Sequence, residues 1–151
     1  MGVGLPEGEF IMRLSIRAIA GAAGALAMAA APAVAQASPY TDQVDFNTPS
    51  GNIGCTVSSA GAACEIADHD YPAPARPDVC HLAYGDRIYL DADGAQFHCH
   101  GDKLVESSAQ ILAYTHSVTV GRFTCVSTVD YVECSGPAHS FRLARGFYSL
   151  A

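Results

Sequence analysis

Six cysteines, all between residues 55 and 134, restrict what this chain can fold into more than any other feature. They come as three successive pairs. Cys55 and Cys64 stand nine positions apart, Cys125 and Cys134 repeat that spacing about seventy residues later, and Cys80 and Cys99 lie between them. An even number of cysteines in a small domain reads as a disulfide framework, which persists in compartments that do not keep thiols reduced. Zinc binding is the competing use of clustered cysteines. It favours closely spaced C-x2-C pairs, and none occurs here, so no metal is expected.

Six cysteines admit fifteen pairings, among which spacing alone does not choose. Strand geometry favours one. Residues opposite each other on antiparallel strands have Cα atoms about 4.5 to 5.5 Å apart, within reach of a disulfide. If Cys55 to Cys64 is a hairpin, Ile53, Cys55 and Val57 share a face with Ala62, Cys64 and Ile66. Its turn lies near Ser58 to Gly61, with Gly61 available for a positive φ. In the second copy Phe123 and Cys125 face Val132 and Cys134, with a turn around Ser127 to Asp130. Nearest-neighbour bridges follow: Cys55 with Cys64, Cys80 with Cys99, Cys125 with Cys134. Loop length ranks the Cys80–Cys99 bridge as the most stabilising of the three.

The amino-terminal region reads as a targeting segment. Residues 1–11 fit nothing downstream, whereas Met12-Arg-Leu-Ser-Ile-Arg17 is a basic start, making Met12 the expected true start. An apolar run of small residues follows from Ala18 to Ala31, too short to span a bilayer about 30 Å thick. Ala33-Val-Ala35 and Ala35-Gln-Ala37 then offer small-x-small cleavage sites. The expected organisation is a signal peptide over residues 1–37 and a secreted domain over 38–151. From Ser38 onward six Lys and Arg face thirteen Asp and Glu. That balance disfavours nucleic acid and anionic lipid surfaces, so neither nucleic acid nor stable membrane insertion is expected.

Along the rest of the chain, three prolines between Pro72 and Pro77 block helix and give an extended connection. Ile88 and Leu90 alternate with Arg87 and Tyr89, Asp93-Gly94 signals a turn, and residues 95–100 return as a strand. On that strand Phe97 and Cys99 are expected inward, with His98 and His100 together on the outer face. Residues 103–114 read as an irregular or briefly helical connection. Residues 116–120 alternate as a strand, Gly121 suggests a bulge before Phe123, and Phe141 and Leu143 read as the core face of a further strand. The expected class is all-β, mainly antiparallel: a small disulfide-stapled domain of short hairpins.

Several stretches together resemble a known family. They are Phe46-Asn-Thr-Pro-Ser-Gly-Asn-Ile-Gly-Cys55, Cys64-Glu-Ile66, Tyr84-Gly-Asp86, Phe97-His-Cys-His-Gly-Asp102, Leu112-Ala-Tyr114 and His139-Ser-Phe-Arg-Leu-Ala-Arg145. The sequence is similar to small secreted actinobacterial proteins of mycobacterial and nocardial type, which have six cysteines and no established function. The resemblance implies export and a disulfide-bonded β domain, but no activity. Two positions depart from the family pattern: Ala138-His-Ser-Phe141 replaces Gly-His-Gly-Phe, and Tyr114-Thr115 replaces an aromatic followed by glycine.

Three classes of chemistry compete for the polar residues. His98 and His100 could hold a metal with His81 or His69, but a third ligand cannot be placed. Ser140 adjoins His139, yet neighbours on a strand point to opposite faces, and no G-x-S-x-G elbow occurs. Asp91-Ala-Asp-Gly94 lacks the further ligands of a calcium loop and is simply a turn. No catalytic, cofactor or metal residue is therefore assigned, and no enzyme is expected. The expected role is a secreted binding module for a protein or a cell-envelope glycan, with Tyr84 and Tyr89 as candidates for an aromatic patch. The alternative is a secreted inhibitor of a lysozyme- or protease-type hydrolase, with a metal-binding protein or an enzyme ranked below both.

Overall fold

The short alternating runs become strands. In the computed structural model, which describes residues 42–151, they are β1 (Gln43–Asn47), β2 (Ile53–Ser58), β3 (Ala62–Ile66), β4 (Arg87–Leu90), β5 (Ala95–Phe97) and β6 (Gln110–Ile111). Then follow β7 (Ser117–Val120), β8 (Phe123–Ser127), β9 (Val132–Ser135), β10 (Ser140–Leu143) and β11 (Tyr148–Leu150). The expected signal segment, 1–37, and the start at Met12 lie outside the described residues. One sheet has the order β5-β4-β3-β2-β1-β6 and the other β11-β10-β9-β8-β7. Neighbours are antiparallel except β6, which runs parallel to β1. The described residues are all-β, as their periodicity predicts. Among the described residues no helix is long and apolar enough to cross a membrane.

The sheets pack face to face, β2 and β3 against β7 and β8, and β4 against β10. Period-2 alternation decides what lies between them. Phe46, Val57, Ile66, Ile88 and Leu90 point inward from the first sheet; Phe123, Val132, Phe141 and Leu143 meet them from the second, all fully buried. Each buried Phe contributes about 1.5 to 3 kcal/mol. At the centre stand four cysteines. Cys55 is opposite Cys64 in the β2–β3 register and Cys125 opposite Cys134 in β8–β9, each pair bonded with Cα atoms 4.1 Å apart. Cys80 bonds Cys99 across a Cα separation of 5.8 Å. These are the nearest-neighbour pairs that hairpin geometry predicts.

Local details depart from expectation at four places. Gly121 makes no bulge: Val120 pairs with Phe123, and Gly121-Arg122 is a two-residue hairpin loop whose Gly121 φ of 58° suits a II′-type turn. Gly61 does not take a positive φ; a Cβ there would strike the carbonyl oxygen of Leu90. The returning strand stops at Phe97, not His100, because His100 leaves β4 and pairs with Ala83 instead. Residues 103–109 keep to the expected irregular course and lead into β6. β1 itself, with Val44 and Phe46 alternating, supplies a strand that the sequence reading did not assign.

The segment between β5 and β6 joins opposite edges of a six-stranded sheet, a crossing of about 24 Å at ordinary strand spacing. It crosses the sheet's outer face as a strap. Asp102 is held by Arg87 of β4, the Leu104 amide donates to Glu65 of β3 at 3.3 Å, and Asn47 of β1 donates to the Glu106 carbonyl. On β2 the strap backbone passes over Gly54. A Cβ there would lie 2.6 Å from the Leu104 carbonyl carbon, so only glycine admits the passage.

Candidate functional site

Residues that carry the family resemblance gather in two places, one closed and one open. The closed one lies beneath the strap. Glu65, Arg87 and His100 are buried there, each about 5–6% exposed. Arg87 Nη2 donates to Glu65 Oε2 at 2.5 Å and Nε to the same oxygen at 3.1 Å, while Nη1 donates to Asp102 Oδ1 at 2.9 Å. His100 Nε2 lies 2.9 Å from Asp86 Oδ1, and its Nδ1 lies 2.9 Å from the Asp102 carbonyl. The hydrogen bond from Arg87, its largest influence, holds the Asp102 carboxyl below its usual 3.8. A buried charge needs this pairing, and every partner is spent on the strap or the sheet beneath it. The network anchors structure.

His100 therefore corrects the sequence expectation. It does not share an exposed face with His98, because strand alternation ends at Phe97 and pairing with Ala83 turns its ring inward. His98 remains exposed, its ring 5.7 Å from Tyr89. Nor do Tyr84 and Tyr89 form one patch. Tyr84 meets Phe97 at 6.1 Å, in a row that continues to Tyr148 and Tyr71, whereas Tyr89 belongs to the group with His98. Burial, followed by nearby Asp86 and Tyr148, pushes the Tyr71 phenol far above its ordinary range. Its hydroxyl donates to the Gly85 carbonyl at 3.0 Å. Among the described residues, the sulfurs of Cys55, Cys64 and Cys134 lie within 4.8 Å of one another, but all are committed to disulfides and offer no thiolate.

The open place is a cleft of about 460 Å³ at one end of the sandwich. Thr48, Ser50, Gly51 and Asn52 form one wall; Tyr114, Thr128, Asp130, Tyr131 and Arg145 contribute to the rest. The first wall is rigid for a local reason. Thr48 N donates to the Ile53 carbonyl and Gly51 N to the Thr48 carbonyl, both at 2.9 Å, closing the Thr48-Pro-Ser-Gly turn. Asn52 then behaves as a strand extension. Its Nδ2 donates to the Asp68 carbonyl and its Oδ1 accepts from the Asp68 amide, both at 2.9 Å.

The facing wall is equally fixed. Thr128 closes the β8–β9 turn by accepting the Tyr131 amide at 2.9 Å and donating to the Tyr131 carbonyl at 2.7 Å. The Tyr131 ring lies beneath the Arg142 guanidinium at 4.9 Å and near Phe147 at 6.2 Å. Tyr114 comes from a strained turn: Thr115, a β-branched residue, takes a φ of 68° while its amide donates to the Ser127 carbonyl at 2.7 Å. Two tyrosines, two carboxylates (Asp68 and Asp130) and several hydroxyls thus border one concave surface. Sequence reading singled out the Thr48–Cys55 stretch and named Tyr114 in the family resemblance, but gave Tyr114 no place in a site and missed Tyr131. No local pattern places either beside that turn; the fold brings them to it from more than sixty residues away.

Comparison with known proteins supplies a family but no activity. The sequence matches, over residues 24–150, the family described as "Family of unknown function (DUF6636)". The chain belongs to that family. No curated protein and no solved structure matches it. The DUF6636 match takes in both the strap anchors and the cleft turn.

Proposed function

We propose that this DUF6636 protein is an exported, non-catalytic binding module whose end cleft takes a cell-envelope glycan. The observation that carries this reading is the cleft between the Thr48–Asn52 turn and the Thr128–Tyr131 turn. Tyrosine faces suit stacking on sugar rings, while carboxylate, hydroxyl and amide groups suit sugar hydroxyls. The walls are set before binding, so little ordering cost attends association. Asp68 and Asp130 disfavour an anionic ligand. Three disulfides fit a compartment outside the reducing cytosol.

The test is retention of folded mature protein on immobilised envelope polysaccharide, set beside a Tyr114→Ala, Tyr131→Ala double variant. Retention at least tenfold weaker in the variant supports the reading. Equal retention, or capture only by envelope proteins, counts against it.

A second reading, inhibition of a hydrolase, draws on a different surface. Val79 is 87% exposed and adjoins Cys80, whose bridge pins the proline-rich loop. A rigid, protruding aliphatic residue suits insertion into an enzyme cleft. Assay against a panel of lysozymes and proteases, with Val79→Asp as control, separates this reading from the first.

A further inference from the structure

The two central bridges touch. Cys64 Sγ and Cys134 Sγ, from facing sheets, are 3.5 Å apart, and all four cysteines of these bridges are at most 1% exposed. Each sulfur is already in a disulfide, so no S–H lies between them and the contact is one of van der Waals type. Thiol–disulfide exchange needs a thiolate placed against a disulfide sulfur. Once a reductant has reached either bridge, the fold supplies that placement for the second step, whose attacking sulfur already lies in the core.

We propose that the two core bridges form an exchange pair: opening either one transfers the remaining link to Cys64–Cys134, converting a staple within a sheet into a tie between sheets. The step balances. A dithiol reductant first converts Cys55–Cys64 to two thiols and is itself oxidised to a disulfide. The Cys64 thiolate then attacks Cys134 Sγ. The Cys64–Cys134 bond forms as Cys125–Cys134 breaks, and Cys125 departs as thiolate and takes up the proton that Cys64 lost. Starting from the other bridge, the Cys134 thiolate attacks Cys64 Sγ and Cys55 departs. Both routes reach the same bond because Cys64 and Cys134 are the atoms in contact. The sulfurs must close from 3.5 Å to a bond of about 2.0 Å. Cys80–Cys99 takes no part; Cys80 Sγ lies instead against the Leu82 and Ala83 carbonyls at 3.7 and 3.8 Å.

Two single variants of the full chain test this, Cys55→Ser and Cys125→Ser. Each is held folded with a trace of glutathione, alkylated, and mapped without reduction. The expected result is a Cys64–Cys134 linked peptide from both, with alkylation shifted to Cys125 in the first and to Cys55 in the second. A Cys134→Ser control is expected to keep Cys55–Cys64 intact and Cys125 free. Alkylation of Cys64 alone in Cys55→Ser, with Cys125–Cys134 intact, overturns the proposal. So do links to Cys80 or Cys99, which would mean exchange through the unfolded chain. Should the variants not fold, the wild-type protein treated with limiting dithiothreitol gives the same reading. Its partly reduced species contain Cys64–Cys134 if the proposal holds and only native bridges if it does not.

Discussion

Single residues show what the charged and conformationally special positions of this sequence do. Arg87 is the clearest. It compensates the buried Glu65 carboxylate and grips the strap through Asp102. Replacing it by Met leaves the buried Glu65 without its guanidinium, with only the Leu104 amide still donating to it, so a loss of about 3 to 5 kcal/mol is expected in denaturant unfolding. Asp102 behaves differently, because its side chain is 71% exposed and solvent screens the pair. Its folded-state carboxyl is held below 3.8, so its contribution is present above that value and lost as pH falls through the lowered one. Asp102→Asn is therefore expected to melt slightly below wild type at neutral pH, with the difference shrinking as pH falls through the lowered value. Thr115 holds the opposite lesson. Its left-handed backbone costs on the order of 1 to 3 kcal/mol, only part of which is offset by the unfolded-state entropy glycine would add. Thr115→Gly, restoring the aromatic-glycine pattern of the resembling family, is expected to stabilise by about 0.5 to 1 kcal/mol. An unchanged denaturant midpoint would contradict this.

At the scale of elements, the hairpins and the bridges must be weighed together. Loop closure gives about 2.6 kcal/mol for a nine-residue bridge and about 3.2 for a nineteen-residue one, which favours Cys80–Cys99. Burial reverses that order. Cys125 and Cys134 are fully buried at the centre of the sandwich, and serines there would each bury a hydroxyl at about 1 to 3 kcal/mol. Cys99 is only half-buried. The expected outcome is thus that Cys125→Ser with Cys134→Ser lowers the denaturant midpoint more than Cys80→Ser with Cys99→Ser. The hairpins themselves were legible because their signals are local: alternation, a two- or four-residue turn, and cysteines at matching distance. The strap was not. Its course is fixed by contacts spanning fifteen to fifty-nine residues, with Arg87, Glu65 and Asn47, and no periodicity announces them. His100 was misplaced for the same reason, since pairing with Ala83 overrides the alternation that Phe97 and His98 obey.

For the whole molecule, the sequence stated the class and the frame while leaving open how the two sheets meet. Stacking the sheets puts two disulfides in contact and opens a cleft at one end, where the Thr48–Cys55 stretch meets turns from the second sheet. That stretch therefore has two duties. Gly54 lets the strap pass, and Thr48 to Asn52 shape a wall of the cleft. Glycan binding at that cleft is best examined by amide chemical-shift mapping of the folded domain titrated with envelope polysaccharide. Shifts gathered on Thr48–Ile53, Tyr114, Thr128–Tyr131 and Arg145 are the expected result. Shifts gathered on Pro77–Leu82, or none at saturating polysaccharide, would contradict it.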